Sequence, residues 1–157
     1  MMWYGVLFIL KYIDIGCKSS SNCLWSKPPL DSLKFNVDGA VEGGFKIAGI
    51  DGVLCNTENV SLIMFSNSIG VIDVTSTELL ALKEAYLLFR DSNQVNSFKH
   101  ILETDCCSCV DWFTHPNSAP SMFKAIIEDC SNICNGFYWS IQHIPGKENV
   151  TEDKLAE

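Results

Sequence analysis

Between Leu33 and Asp38 apolar and polar residues alternate without a break, Leu33, Phe35 and Val37 against Lys34, Asn36 and Asp38. A period of two fits a half-buried strand and excludes a helix there, so a sheet must begin at this point. Asp38 closes the strand in this reading, and Gly39, Gly43 and Gly44 mark a turn. Phe45 to Leu54 and Val60 to Ser66 then read as two more strands, joined by a hairpin around Asn56 to Asn59. Three consecutive strands of this kind form a meander.

The apolar period next changes to that of a helix. Leu79, Leu80, Leu82, Leu87 and Phe89, with Tyr86 and the alanines, place one apolar face on a helix over Ser76 to Arg90, with Thr75 or Ser76 as its cap. His100 to Thr104 is a short strand ending at Asp105, followed by a helical segment through Val110, Trp112 and Phe113 and a break at Pro116 and Pro120. Met122, Phe123, Ile126, Ile127, Cys130 and Ile133 recur at helical spacing and end near Gly136. Phe137 to Ile144 is the fifth strand, and Asn149 caps a last helix that has barely two turns before Glu157. The order predicts an α/β chain with a mixed five-stranded sheet flanked by helices. Its first and fourth strands, linked through a helix, lie parallel with Asp38 and Asp105 at neighbouring carboxyl ends.

A chain of 157 residues can bury a core without disulfides or a structural metal, and 47% hydrophobic with 19% charged residues excludes disorder for its bulk. The apolar start, Met1 to Leu10, is interrupted by Lys11 and Asp14, too soon for a membrane span. An intracellular, nuclear or cytoplasmic monomer with no membrane partner is the default expectation. Residues 1–30, with their serine run and Pro28–Pro29, read as a tail or linker before a domain over 31–157. The eight cysteines read as reduced thiols packing as small hydrophobes, since no histidine pattern accompanies Cys106, Cys107 and Cys109 to make a zinc site. Net charge is −8, and no basic run is present. Affinity for phosphate backbones comes mainly from basic side chains, so any nucleic-acid function must work against this balance.

Four acids stand out by position: Asp38, Glu78, Asp105 and Asp153. Each has a plain alternative. Thr75 with Glu78 fits a capping box, Asp38 and Asp105 fit strand-end turns, and Asp153 fits a solvated helix residue. His143 reads equally as a structural histidine near the sheet edge or as a catalytic one.

The run Phe35-Asn36-Val37-Asp38-Gly39-Ala40, then Thr77-Glu78-Leu79-Leu80-Ala81-Leu82, Glu103-Thr104-Asp105 and Asn149 to Ala156 resembles the successive motifs of type 1 ribonuclease H. The version it looks most like is the plant retrotransposon-derived, reverse transcriptase-like one. The resemblance covers about residues 25 to 157. It implies a ribonuclease H-like fold and an endonuclease that hydrolyses the RNA strand of RNA/DNA hybrids with Mg2+, or with Mn2+ in its place. It implies Asp38, Glu78, Asp105 and Asp153 as metal ligands, and His143 as a catalytic histidine at the family's spacing before the last aspartate. Cys106 stands where serine is usual, Asp51 interrupts the glycine-rich Gly49 to Gly52, and Cys55 and Asn56 replace the usual arginine and aspartate. With the acidic balance and the short closing helix, these departures leave a second expectation, a catalytically lapsed remnant of a retroelement that binds nucleic acid or protein. A cysteine-based metal or redox module is a third.

Overall fold

The computed structural model describes residues 26–42, 47–92, 97–135 and 137–145. Most of the tail, the turn at Gly43 and Gly44, and the closing helix from Asn149 with Asp153 lie outside them. Strands β1 (Ser32–Glu42), β2 (Ile47–Cys55) and β3 (Ser61–Val71) form an antiparallel meander. Helix α1 (Val74–Arg90) leads to β4 (Lys99–Thr104), which pairs parallel with β1. After α2 (Cys107–Thr114), two short 3-10 turns and α3 (Lys124–Ile133), strand β5 (Trp139–His143) adds parallel to β4. The sheet order is β3-β2-β1-β4-β5. Among the described residues no helix is long and apolar enough to cross a membrane.

Three sequence expectations change in detail. Asp38 does not end its strand, because β1 continues to Glu42 and pairs with β2 along that length. The parallel pairing with β4 stops at Asn36↔Glu103, so Asp38 still stands at the carboxyl edge of the β1–β4 pair. The cap of α1 is Asp73, whose Oδ2 accepts the Ser76 N–H at 2.9 Å, rather than Thr75 or Ser76. Glu78 therefore lies beyond the capping position, which removes the capping-box explanation for it.

The strand expected to be half-buried is buried on both faces. Leu33, Phe35 and Val37 pack toward α1 with Leu79, Leu82 and Phe89, while Lys34, Asn36 and Asp38 on the opposite face are also buried. Lys34 tolerates this because its Nζ lies 3.4 Å from Glu103 Oε1 and donates to the Ser26 carbonyl at 2.8 Å. Gln142 Nε2 donates to the other Glu103 oxygen at 2.9 Å. Paired and hydrogen-bonded, these charges avoid most of the cost of leaving water.

His100 occupies the centre of the core on the α1 side. Its ring stacks on Phe89 with centroids 3.9 Å apart and meets Phe35 and Tyr86 edge-on. Neither ring nitrogen has a hydrogen-bond partner, and burial pushes its pKa down to about 3, so the ring is neutral.

Candidate metal centre

Three elements converge at one end of the sheet. Asp38 comes from β1, Asp105 from the residue after β4, and Glu78 from the second turn of α1. What brings α1 so close is Gly39. A Cβ there would come within 2.8 Å of the Glu78 backbone nitrogen and the Thr77 carbonyl carbon. A strand residue with a side chain could not sit against the helix in this way, and Glu78 would not reach Asp38. The glycine that reads as a turn signal in the sequence is a contact residue in the fold.

One carboxylate oxygen from each of Asp38, Glu78 and Asp105 lies within 4.8 Å of the others. Asp38 and Glu78 are buried and Asp105 is half-buried. Glu78 Oε2 is shielded from water and has no hydrogen-bond partner. Burial first, and then the charges of Asp38 and Asp105, push the Glu78 carboxyl up to about 9. A carboxyl kept protonated by burial and by two neighbouring carboxylates, with one buried oxygen unused, is suited to exchanging its proton for a cation. All-oxygen donors suit a hard cation such as magnesium or manganese and suit soft metals poorly. The residues present therefore fit a divalent ion held by Asp38, Glu78 and Asp105.

His143 arrives at the same place from β5. Its Nε2 lies 3.1 Å from the Asp105 carbonyl oxygen, and the ring is exposed. Of the five residues singled out in the sequence, the structure thus gathers four, and Asp153 lies outside the described residues.

Two neighbours of the cluster carry less signal in the sequence. Asp51 is the register partner of Asp38 on β2, on the same face of the sheet, and is buried. Its place in a glycine-rich stretch marks it as unusual, but only the strand register puts it beside Asp38. Cys106 caps α2 directly after Asp105, and its backbone N–H donates to Thr104 Oγ1 at 3.2 Å. The Cys109 thiol, hydrogen-bonded to that of Cys106, brings the latter's pKa down to about 6 against the opposing effect of burial.

The reverse transcriptase-like family model matches residues 36–157. No curated protein matches the sequence. The fold is similar to that of LC11-RNase H1, isolated from compost by a metagenomic approach, with a TM-score of 0.71 and 20% identity over 80% of this chain and 93% of that one. That protein has also been solved in complex with an RNA/DNA hybrid. RNase H1 from the halophilic archaeon Halobacterium salinarum aligns with the same TM-score of 0.71 at 22% identity, over 80% of this chain and 94% of that one. The prototype foamy virus protease-reverse transcriptase aligns at 0.62 and 17% identity, over 88% of this chain and 22% of that one. These likenesses show a ribonuclease H fold, and its mixed sheet is the one expected from the order of elements.

Proposed function

The chain belongs to the reverse transcriptase-like family, and on that premise we propose that it is a metal-dependent endonuclease hydrolysing the RNA strand of RNA/DNA hybrids. The observation that carries this reading is the approach of Asp38, Glu78 and Asp105 within 4.8 Å around a buried, unpartnered Glu78 oxygen. Asp38, Glu78 and Asp105 would hold the divalent ion, magnesium or manganese, with Asp153 as a fourth ligand. When bound, such ions activate a water and stabilise the leaving oxygen of a phosphodiester.

The chain's own groups have distinct tasks. The carboxylates fix the site on a rigid strand pair and a helix start, so little reorganisation is needed when substrate arrives. Glu78 gives up its proton on ligation. His143, exposed and 3.1 Å from the Asp105 carbonyl through Nε2, is placed to carry a proton to the leaving oxygen, because an imidazole can both accept and donate one. Choice of a hybrid would come from contacts to 2′-hydroxyls across its shallow minor groove. Origin from a plant-type retroelement rests on the motif run alone.

One observation favours a second reading, a catalytically lapsed remnant that binds nucleic acid or protein: the net charge of −8 leaves few cations to hold a hybrid for cutting. Cleavage of a labelled RNA/DNA hybrid by the purified protein in magnesium or manganese separates the two. Cutting of the hybrid, no cutting of free single-stranded RNA, and loss of cutting in Asp105→Asn are expected. A folded protein that leaves the hybrid intact in both metals would overturn the nuclease in favour of the remnant.

A further inference from the structure

Cys106 and Cys109 enclose two residues in a C-x-x-C arrangement across the first turn of α2, with Cys106 at the cap and Cys109 inside the helix. Positions three apart on a helix lie on the same face, at a backbone separation that a disulfide can span. Their exposures are complementary, because Cys106 is half-buried and open to reagents, whereas Cys109 is fully buried behind it. Cys107, between them, is exposed. Among the described residues the other buried cysteines are placed differently: Cys55 ends β2, and Cys130 and Cys134 are both enclosed in the core.

We propose that Cys106 and Cys109 are a reversible disulfide site that exchanges with low-molecular-weight disulfides of the glutathione type, and that its closure alters the adjoining carboxylate centre. In the first step the Cys106 sulfur attacks one sulfur of the small disulfide. A mixed disulfide forms and one small thiol departs. Cys109 then attacks the Cys106 sulfur and expels the second small thiol. The protein loses two electrons and two thiol protons, and the small disulfide gains both as two thiols. Cys109, three residues on along α2 and shielded from solvent, is placed to do only the second step.

The consequence follows from covalent geometry. A sulfur–sulfur bond of about 2.05 Å is much shorter than any contact between two unbonded thiols, so closure must draw Cys106 toward α2. Cys106 is bonded to Asp105 and tied to Thr104 by its N–H, and both thiols are within electrostatic reach of Glu78 and Asp105. This second part rests on the reading of the carboxylates as a metal site, while the disulfide itself does not.

The test equilibrates the full chain with graded mixtures of reduced and oxidised glutathione, traps the thiols by alkylation and maps them by mass spectrometry. A Cys106–Cys109 bond is expected in the native chain and in Cys107→Ser, with glutathione retained on Cys106 in Cys109→Ser. Cys106 left reduced while Cys107 takes up glutathione, or a Cys106–Cys107 bond, would overturn the site. Manganese affinity measured by calorimetry should fall about tenfold or more on oxidation and return on reduction, the size of effect seen when groups supporting a ligand are moved. Unchanged affinity in the oxidised protein would overturn the coupling. Asp105→Asn, run beside it, reads the metal assignment separately, since failure there leaves the disulfide map untouched.

Discussion

Replacing His100 with phenylalanine should stabilise the protein, and more so as the pH falls. The ring is fully buried among Phe35, Tyr86, Phe89 and Phe137, with both nitrogens unpartnered. Leaving a buried polar group without a partner costs about 1–3 kcal/mol. Phenylalanine fills nearly the same planar space and keeps the stack on Phe89, so a gain of about 1–3 kcal/mol is expected at pH 7. The pH dependence comes from linkage. His100 titrates near 3 in the folded protein against an ordinary value of 6.5, so the unfolded chain takes up a proton below 6.5 that the folded one refuses. Stability from the neutral ring is complete above 6.5 and is lost as pH falls toward 3. At about 1.36 kcal/mol for each unit below 6.5, the native chain loses about 2 kcal/mol by pH 5 that the variant does not. Urea denaturation of both proteins at pH 7 and pH 5 measures this, with the difference between variants cancelling other titrations. A variant less stable than the native chain at pH 7, or a difference that does not grow at pH 5, would refute the reasoning.

Three further outcomes follow from the same packing. Gly39→Ala forces a Cβ into the backbone of Thr77 and Glu78, so it should cost about 1–3 kcal/mol in thermal unfolding and weaken manganese binding through displacement of Glu78. Lys34→Met should destabilise by about 3–5 kcal/mol by breaking a buried ion pair, whereas Lys34→Met with Glu103→Leu should recover most of the loss in denaturant titrations. The Glu78 carboxyl, raised to about 9 from 4.5, stays protonated in the folded protein where the unfolded chain has ionised. Its contribution to metal-free stability is therefore complete below 4.5 and is lost as pH rises toward 9. Because ligation must remove that proton, manganese affinity by calorimetry should rise from pH 6 to pH 9, and an affinity flat in pH would contradict the shift.

Strand alternation at Leu33 to Asp38 and helical spacing over Leu79 to Phe89 made the sheet, α1 and the neighbouring strand ends at Asp38 and Asp105 legible in the sequence, whereas Glu78 joined them only through the family resemblance. Local patterns carry that much because half of each period faces the core. What lay hidden depends on partners distant in the chain. Lys34 looks like a solvent residue until Glu103 and Gln142 come alongside it from β4 and β5. Gly39 looks like a turn until α1 presses on it. Asp73 outranks Thr75 and Ser76 as the cap because its carboxylate reaches the Ser76 N–H from outside the helix. His100, polar in sequence, is buried because four aromatic rings surround it, and no local spacing announces that.

The most direct measurement of the central claim is anomalous diffraction from crystals soaked in manganese. A peak among the Asp38, Glu78 and Asp105 carboxylates, at about 2.0–2.2 Å from their oxygens, is expected. An empty cluster at millimolar manganese, with the three side chains still converged, would contradict a metal-dependent nuclease at this site.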